Sequence, residues 1–193
     1  MWISHAKMGD IRTEEQAKDS NLRRILILGS PGSGKSTLAL KLGERLGLEV
    51  IHLDRHFWNP GWVQTPIPEW MDKVEELVAG ENWIIEGNYS RTLFIRIARA
   101  DGVIWLDFPR LGCFYRCMKR AVRDFGKSRP DMAPGCLEKV DWGFIRHVWT
   151  SRERERPIVE SVLEVNEGRI PVLHLKSIRN VNIDAIVGFV KSN

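Results

Sequence analysis

A short apolar run, Arg24-Ile-Leu-Ile-Leu28, leads directly into Gly29-Ser30-Pro31-Gly32-Ser33-Gly34-Lys35-Ser36-Thr37. Leu38, Leu42 and Leu46 then recur at helical spacing until Gly47. No other stretch limits the fold so tightly. A strand that ends in a glycine loop and restarts as a helix points a row of backbone N–H groups at one spot. The helix dipole favours an anion there. Glycine lets the main chain approach phosphate oxygens closely. The spacing is the P-loop pattern of glycine, four residues, glycine, lysine and serine. Lys35 then serves as a compact charge for the outer phosphates, and the Ser36 hydroxyl as a magnesium ligand. The expected cofactors are ATP and Mg2+.

The rest of the chain repeats the strand-then-helix alternation. Strands are expected at Glu49–Leu53, Trp83–Ile85, Val103–Leu106 and Pro171–Leu175. Helices are expected from about Pro68 to Gly80, Thr92 to Ala100, Leu111 to Phe125, Leu137 to Glu153, Pro157 to Glu167 and Ile183 to Lys191. Residues 56–62 read as an aromatic loop, and 126–135, with two prolines and two glycines, as a mobile loop. The alternation predicts an α/β fold with a five-stranded parallel sheet covered on both faces. Ligands of such sheets sit beyond the carboxyl ends of the strands. The glycine loop, Asp54, Glu86, Asp107 and the loop after Leu175 are therefore expected to converge.

With 193 residues, 43% of them apolar, the chain suits one globular domain over 22–193, preceded by a polar arm at 1–21 with Met8 as an alternative start. The apolar segments are too short to span a bilayer, and the first twenty residues lack a signal-peptide core. The expected location is the cytoplasm. Cys113, Cys117 and Cys136 are expected as reduced packing thiols; a metal site shared with His147 would fit no common zinc spacing. The net charge of +4 is less telling than its placement. Arg110, Arg116, Lys119, Arg120, Arg123, Lys127 and Arg129 stand against Asp124 alone. That run is either a solvated helix face or a phosphate clamp.

No Asn-Lys-x-Asp guanine signature is present, nor an apolar strand ending in Asp-Glu as in ring ATPases. Asp101-Gly-Val-Ile-Trp-Leu-Asp-Phe-Pro109, followed by Arg116 and Arg120, resembles the adenylate kinase and shikimate kinase group. His52-Leu-Asp54, Trp58-x-Pro-Gly-Trp62, Trp83-Ile-Ile-Glu-Gly-Asn-Tyr89 and the Arg-Pro-Asp-Met … Cys-x-Glu stretch narrow the likeness. Together they resemble the DNA topology modulation (FlaR-like) group of adenylate-kinase-like P-loop proteins, over roughly 24–177. The resemblance implies the P-loop fold of the adenylate/shikimate kinase type with a lid at about 126–137. It also implies helix arginines, among Arg116, Arg120 and Arg123, that reach the phosphates. By fold analogy the adenine lies near Ser177 and Arg179.

Asp54 has two readings, as a general base or water-mediated magnesium partner, and as a loop cap. Glu86 is read as a ligand of the metal or its waters, or as a partner of Arg91. Asn88 and Tyr89 are positioned to read a substrate. Trp58 and Trp62 are either an acceptor wall or core, whereas Trp83 and Trp105 are core. An alcohol acceptor would need Asp54 as base; a phosphate acceptor would need cations, of which Arg55, Arg91 and Arg96 are nearest in sequence. The expected function is transfer of the γ-phosphoryl group of ATP to a nucleotide or other small acceptor. The rival is a nucleotide-dependent switch acting on DNA or a protein partner, although no DNA-binding motif is visible.

Overall fold

Residues 22–193 are described in the computed structural model of the chain; the expected arm, 1–21, lies outside them. Five strands, β1 (Arg24–Gly29), β2 (Glu49–His52), β5 (Trp83–Glu86), β6 (Gly102–Leu106) and β7 (Val172–Leu175), form one sheet in the order β2-β5-β1-β6-β7. Every neighbouring pair is parallel, as the strand–helix alternation predicts. The glycine loop follows the central strand.

Side chains of a strand alternate between faces, and β1 makes the division plain. Ile25 and Ile27 pack with Leu38 and Leu42 of α1 (Lys35–Leu46) and with Ile186 and Val190 of α7 (Ile183–Ser192). Leu26 and Leu28 pack on the opposite face with Trp70 and Val74 of α3 (Ile67–Val78) and Ile97 of α4 (Leu93–Arg99). Trp70 and Trp83 are each 1% exposed. Replacing either with alanine would cost roughly 3–5 kcal/mol, the usual cost of emptying an aromatic core position.

Three elements differ from the sequence-based expectation. The segment after β2 is not a plain loop but a short helix, α2 (Leu53–Phe57), and a hairpin of β3 (Trp58–Asn59) and β4 (Val63–Gln64). Thr65 closes it, donating from its backbone N (2.9 Å) and Oγ1 (2.7 Å) to the Phe57 carbonyl. The two helices expected between Leu137 and Glu167 are one, α6 (Trp142–Val165). It starts later because Asp141 Oδ1 accepts from Phe144 N at 2.7 Å and caps it there. It runs through Pro157 because both halves are anchored, by Arg152 and Arg156 on Asp107 and by Val159 in the core. The basic helix is α5 (Arg110–Arg123).

Residues 126–137 form a loop closed at its base, where Gly126 N donates to Glu138 O and Glu138 N to Lys127 O, each at 2.9 Å. Met132, Ala133 and Cys136 pack there against Trp58 and Trp62. All three cysteines are buried free thiols, and burial pushes the thiols of Cys113 and Cys117 up. Among the described residues, no helix is long and apolar enough to cross a membrane.

Candidate nucleotide and acceptor site

The register sets the site. Ile27 of β1 stands beside Glu86 of β5, which in turn stands beside His52 of β2. The glycine loop, Glu86 and Asp54 therefore rise from the same end of the sheet. A cavity of about 1130 Å³ opens above them. Its walls include Lys35, Ser36, Asp54, Glu86, Arg120 and Arg129.

The loop is held in shape from several sides. Gly32 has φ +78°, and a Cβ there would stand 2.2 Å from the Cys113 carbonyl of α5, so only glycine fits. Asn88 Oδ1 accepts from Gly29 N at 2.9 Å. Arg116 Nε donates to Gly32 O at 2.8 Å. Lys35 Nζ donates to Gly29 O at 2.7 Å and to Ser30 O at 3.3 Å, across the mouth of the loop. Ser33 N donates to Ser30 O at 3.0 Å. Pro31, Gly34 and Thr37 face the cavity.

Ser36 Oγ donates to Glu86 Oε1 at 3.0 Å, and the same oxygen lies 2.8 Å from His52 Nδ1. Glu86 is 4% exposed. Its partners are thus Ser36 and His52, not the Arg91 weighed from the sequence. Asp54 accepts a hydrogen bond from the Tyr89 hydroxyl at 2.5 Å. Burial and the nearby Glu86 charge push the Asp54 carboxyl up, with Tyr89, Lys35 and Arg129 pulling it back. The Asp54 and Glu86 carboxylates line the same cavity beside the Ser36 hydroxyl. That donor set suits a divalent cation, which would relieve their repulsion.

The arginines part company. Arg120 lines the cavity; its Nε is buried with no hydrogen-bond partner among the described residues, and Nη2 lies 3.6 Å from Cys117 Sγ. Arg116 braces the glycine loop. Arg123 stands at the cavity rim, mostly exposed and paired with Asp124 at 2.8 Å. From the 126–137 loop Arg129 adds a cation, paired with Glu138 at 2.6 Å. In the sequence Arg129 stands out only as part of the basic run. The only sequence signal for the His52–Glu86 contact is that both stand near the carboxyl ends of expected strands.

Trp58 and Trp62 both line the cavity, edge to face with centroids 5.3 Å apart. Trp62 Nε1 donates to the Leu137 carbonyl at 2.8 Å. Arg55 and Arg91 also line it. Two expected members of the convergence lie outside the large cavity, although Asp107 lines a smaller pocket with Gly29, Ser30 and Asn88. The Asp107 carboxylate is taken up by Arg152 (3.0 Å), Arg156 (3.1 Å) and His174 (3.3 Å). Burial opposes its ionisation, but these partners outweigh burial and hold it below the usual carboxylate range. Ser177 Oγ accepts from Arg179 N at 3.3 Å and opens the turn Ile178–Asn180; neither residue belongs to the cavity wall.

No family model matches this chain. Over 30 residues it is 60% identical to the tRNA dimethylallyltransferases of Mus musculus and Homo sapiens. That stretch is 16% of this chain and 6% of theirs, so the chain spans only a small part of those relatives. Whole-fold likeness is broader. The shikimate kinase of Bacteroides thetaiotaomicron superposes with a TM-score of 0.53 at 16% identity, over 88% of this chain and 96% of that one. The Acinetobacter baumannii shikimate kinase in complex with shikimate gives 0.55 at 13%, over 89% and 92%. A putative kinase from Chloroflexus aurantiacus gives 0.53 at 17%, over 86% and 95%. At these identities the likeness speaks for the fold alone: the chain has the P-loop fold of the shikimate kinases, a five-stranded parallel sheet flanked by helices.

Proposed function

We propose that the chain is an ATP- and magnesium-dependent phosphotransferase that moves the γ-phosphoryl group to a small acceptor. One observation carries the reading. Lys35, Arg120 and the Asp54 carboxyl face a single large cavity beside the glycine loop. The loop amides and Lys35 would bind the phosphates. Ser36 and Glu86, the latter directly or through water, would hold magnesium, which offsets the phosphate charge. Arg120, short of partners, would meet the charge that builds on the transferred group. Asp54 would take the proton of an acceptor hydroxyl as its oxygen bonds to phosphorus and ADP departs. A carboxyl pushed up by its surroundings is better matched to that task than an ordinary one.

Trp58, Trp62, Asn88 and Arg91 would form the acceptor side, and residues 126–137 the lid that shuts out water. Ser177 and Arg179 would serve the adenine only from outside the cavity wall. The test is transfer of label from γ-labelled ATP with a panel of nucleoside monophosphates and small alcohols. A labelled acceptor that depends on magnesium supports the reading. Label released only as phosphate, at a rate no acceptor raises, would reduce the protein to a hydrolase or switch.

A further inference from the structure

Arg96 lies on α4, outside the cavity wall, yet its guanidinium is fully buried and faces the loop that follows β5. It donates to three consecutive carbonyls: Gly87 at 2.9 Å, Asn88, and Tyr89 at 3.0 Å. Three carbonyl dipoles aimed at one point repel each other unless a cation sits there. The loop is also unusual in its backbone. Gly87 has φ +131° and Tyr89 has φ +38°, a region that side chains other than glycine rarely adopt. A Cβ on Gly87 would stand 3.0 Å from Leu53 Cβ. Thr92 Oγ1 adds one more bond, to Tyr89 O at 3.1 Å.

What this loop holds gives Arg96 its interest. The Asn88 side chain accepts from Gly29 N at the entrance of the glycine loop, and the Tyr89 hydroxyl donates to Asp54. The Tyr89 ring is wedged between Phe57 (4.7 Å) and Trp70 (5.2 Å). We propose that Arg96 is a positioning residue, one buried cation that fixes residues 87–89 and through them sets both the glycine loop and the Asp54 carboxyl. The consequence for turnover rests on the proposed role of Asp54; the consequence for loop order and ATP affinity does not.

A neutral side chain could fill the same space but could not hold three oxygens. Burial pulls the Arg96 guanidinium down to about 9, while Glu155 and Tyr89 favour its charged form. Glu155 sits on α6, the helix that follows the lid segment, and its Oε2 is buried with no partner among the described residues. Glu155 thus favours the Arg96 charge from α6 without forming an ion pair with it among the described residues.

The test compares Arg96→Met, Arg96→Lys and Tyr89→Phe in the full chain. Melting, ATP affinity, amide exchange across residues 87–90 and turnover with the best acceptor are measured. Arg96→Met should speed exchange in that loop, weaken ATP several-fold and lower turnover roughly ten- to a hundredfold, the scale of an ångström-sized misplacement. Arg96→Lys should restore part of each. Tyr89→Phe should lower turnover while sparing ATP affinity, and should add little on top of Arg96→Met, because both break the same link. Unchanged loop exchange and ATP affinity in folded Arg96→Met would overturn the proposal, as would full additivity with Tyr89→Phe. If Arg96→Met does not fold, the same cycle with Arg96→Lys decides it. If the unmodified protein transfers no phosphate, the functional reading fails while exchange and ATP affinity still judge Arg96.

Discussion

Asp54 sits where its charge is disfavoured, and that fact can be read twice. Turnover that needs the ionised carboxyl should rise with pH through a limb lying above the ordinary carboxylate range, because burial and Glu86 raise it. Stability runs the other way. A folded-state pKa above the unfolded one gives stability that is full below the unfolded value and is lost as pH rises through the folded value. Asp54→Asn should therefore raise the melting temperature near neutral pH and change it little in acid. A gain of about 2–4 °C per kcal/mol is expected for a chain of this size. With an alcohol acceptor its turnover should fall roughly a hundredfold or more, the usual worth of a general base. With a phosphate acceptor the fall should be milder and Arg91→Ala should hurt more. Paired melting scans and rates with the acceptor found by screening check both halves. A mutant neither stabilised nor slowed would leave Asp54 as a loop cap.

The elements divide labour that the residue names alone do not. On α5, Arg116 grips the Gly32 carbonyl while Arg120 faces the cavity. Arg116→Ala should weaken ATP binding roughly tenfold, the worth of one charged hydrogen bond. Arg120→Ala should leave ATP affinity within a few-fold and cut turnover by about two or three powers of ten, if it acts on the transition state alone. Calorimetry beside steady-state rates separates the two, and equal losses in both parameters for both mutants would erase the distinction. The hairpin and the 126–137 loop are likewise joined by Trp62, through its bond to Leu137 O and its packing on the Met132 cluster. Trp62→Leu should raise the acceptor KM and speed amide exchange over 126–137. An unchanged exchange rate there would mean that loop holds itself.

Over the whole molecule, the sheet was legible because its strands are short apolar runs that each end at a polar or glycine residue. The glycine loop was legible because its geometry admits few residue types. What escaped was set by contacts between distant segments. Pro157 reads as a helix start, yet Asp107 and the core hold both sides of it in line. Asp107 reads as a site residue at a strand end, yet Arg152, Arg156 and His174, distant in sequence, claim it. Charge placement tests the rival view at this scale. If the basic run binds DNA, affinity should fall steeply with salt, with a slope reporting the phosphates contacted. A phosphotransferase on small acceptors should show no such specific DNA affinity. The central claim is that this cavity binds the phosphates of a nucleoside triphosphate through the glycine loop. Calorimetric titration of ATP with magnesium into Lys35→Ala, beside a melting scan, tests it most directly. The mutant should stay folded, melting somewhat lower for want of the Gly29 and Ser30 contacts, and bind ATP roughly ten- to a hundredfold more weakly, the loss of a charged hydrogen bond. A folded mutant with unchanged ATP affinity would contradict it.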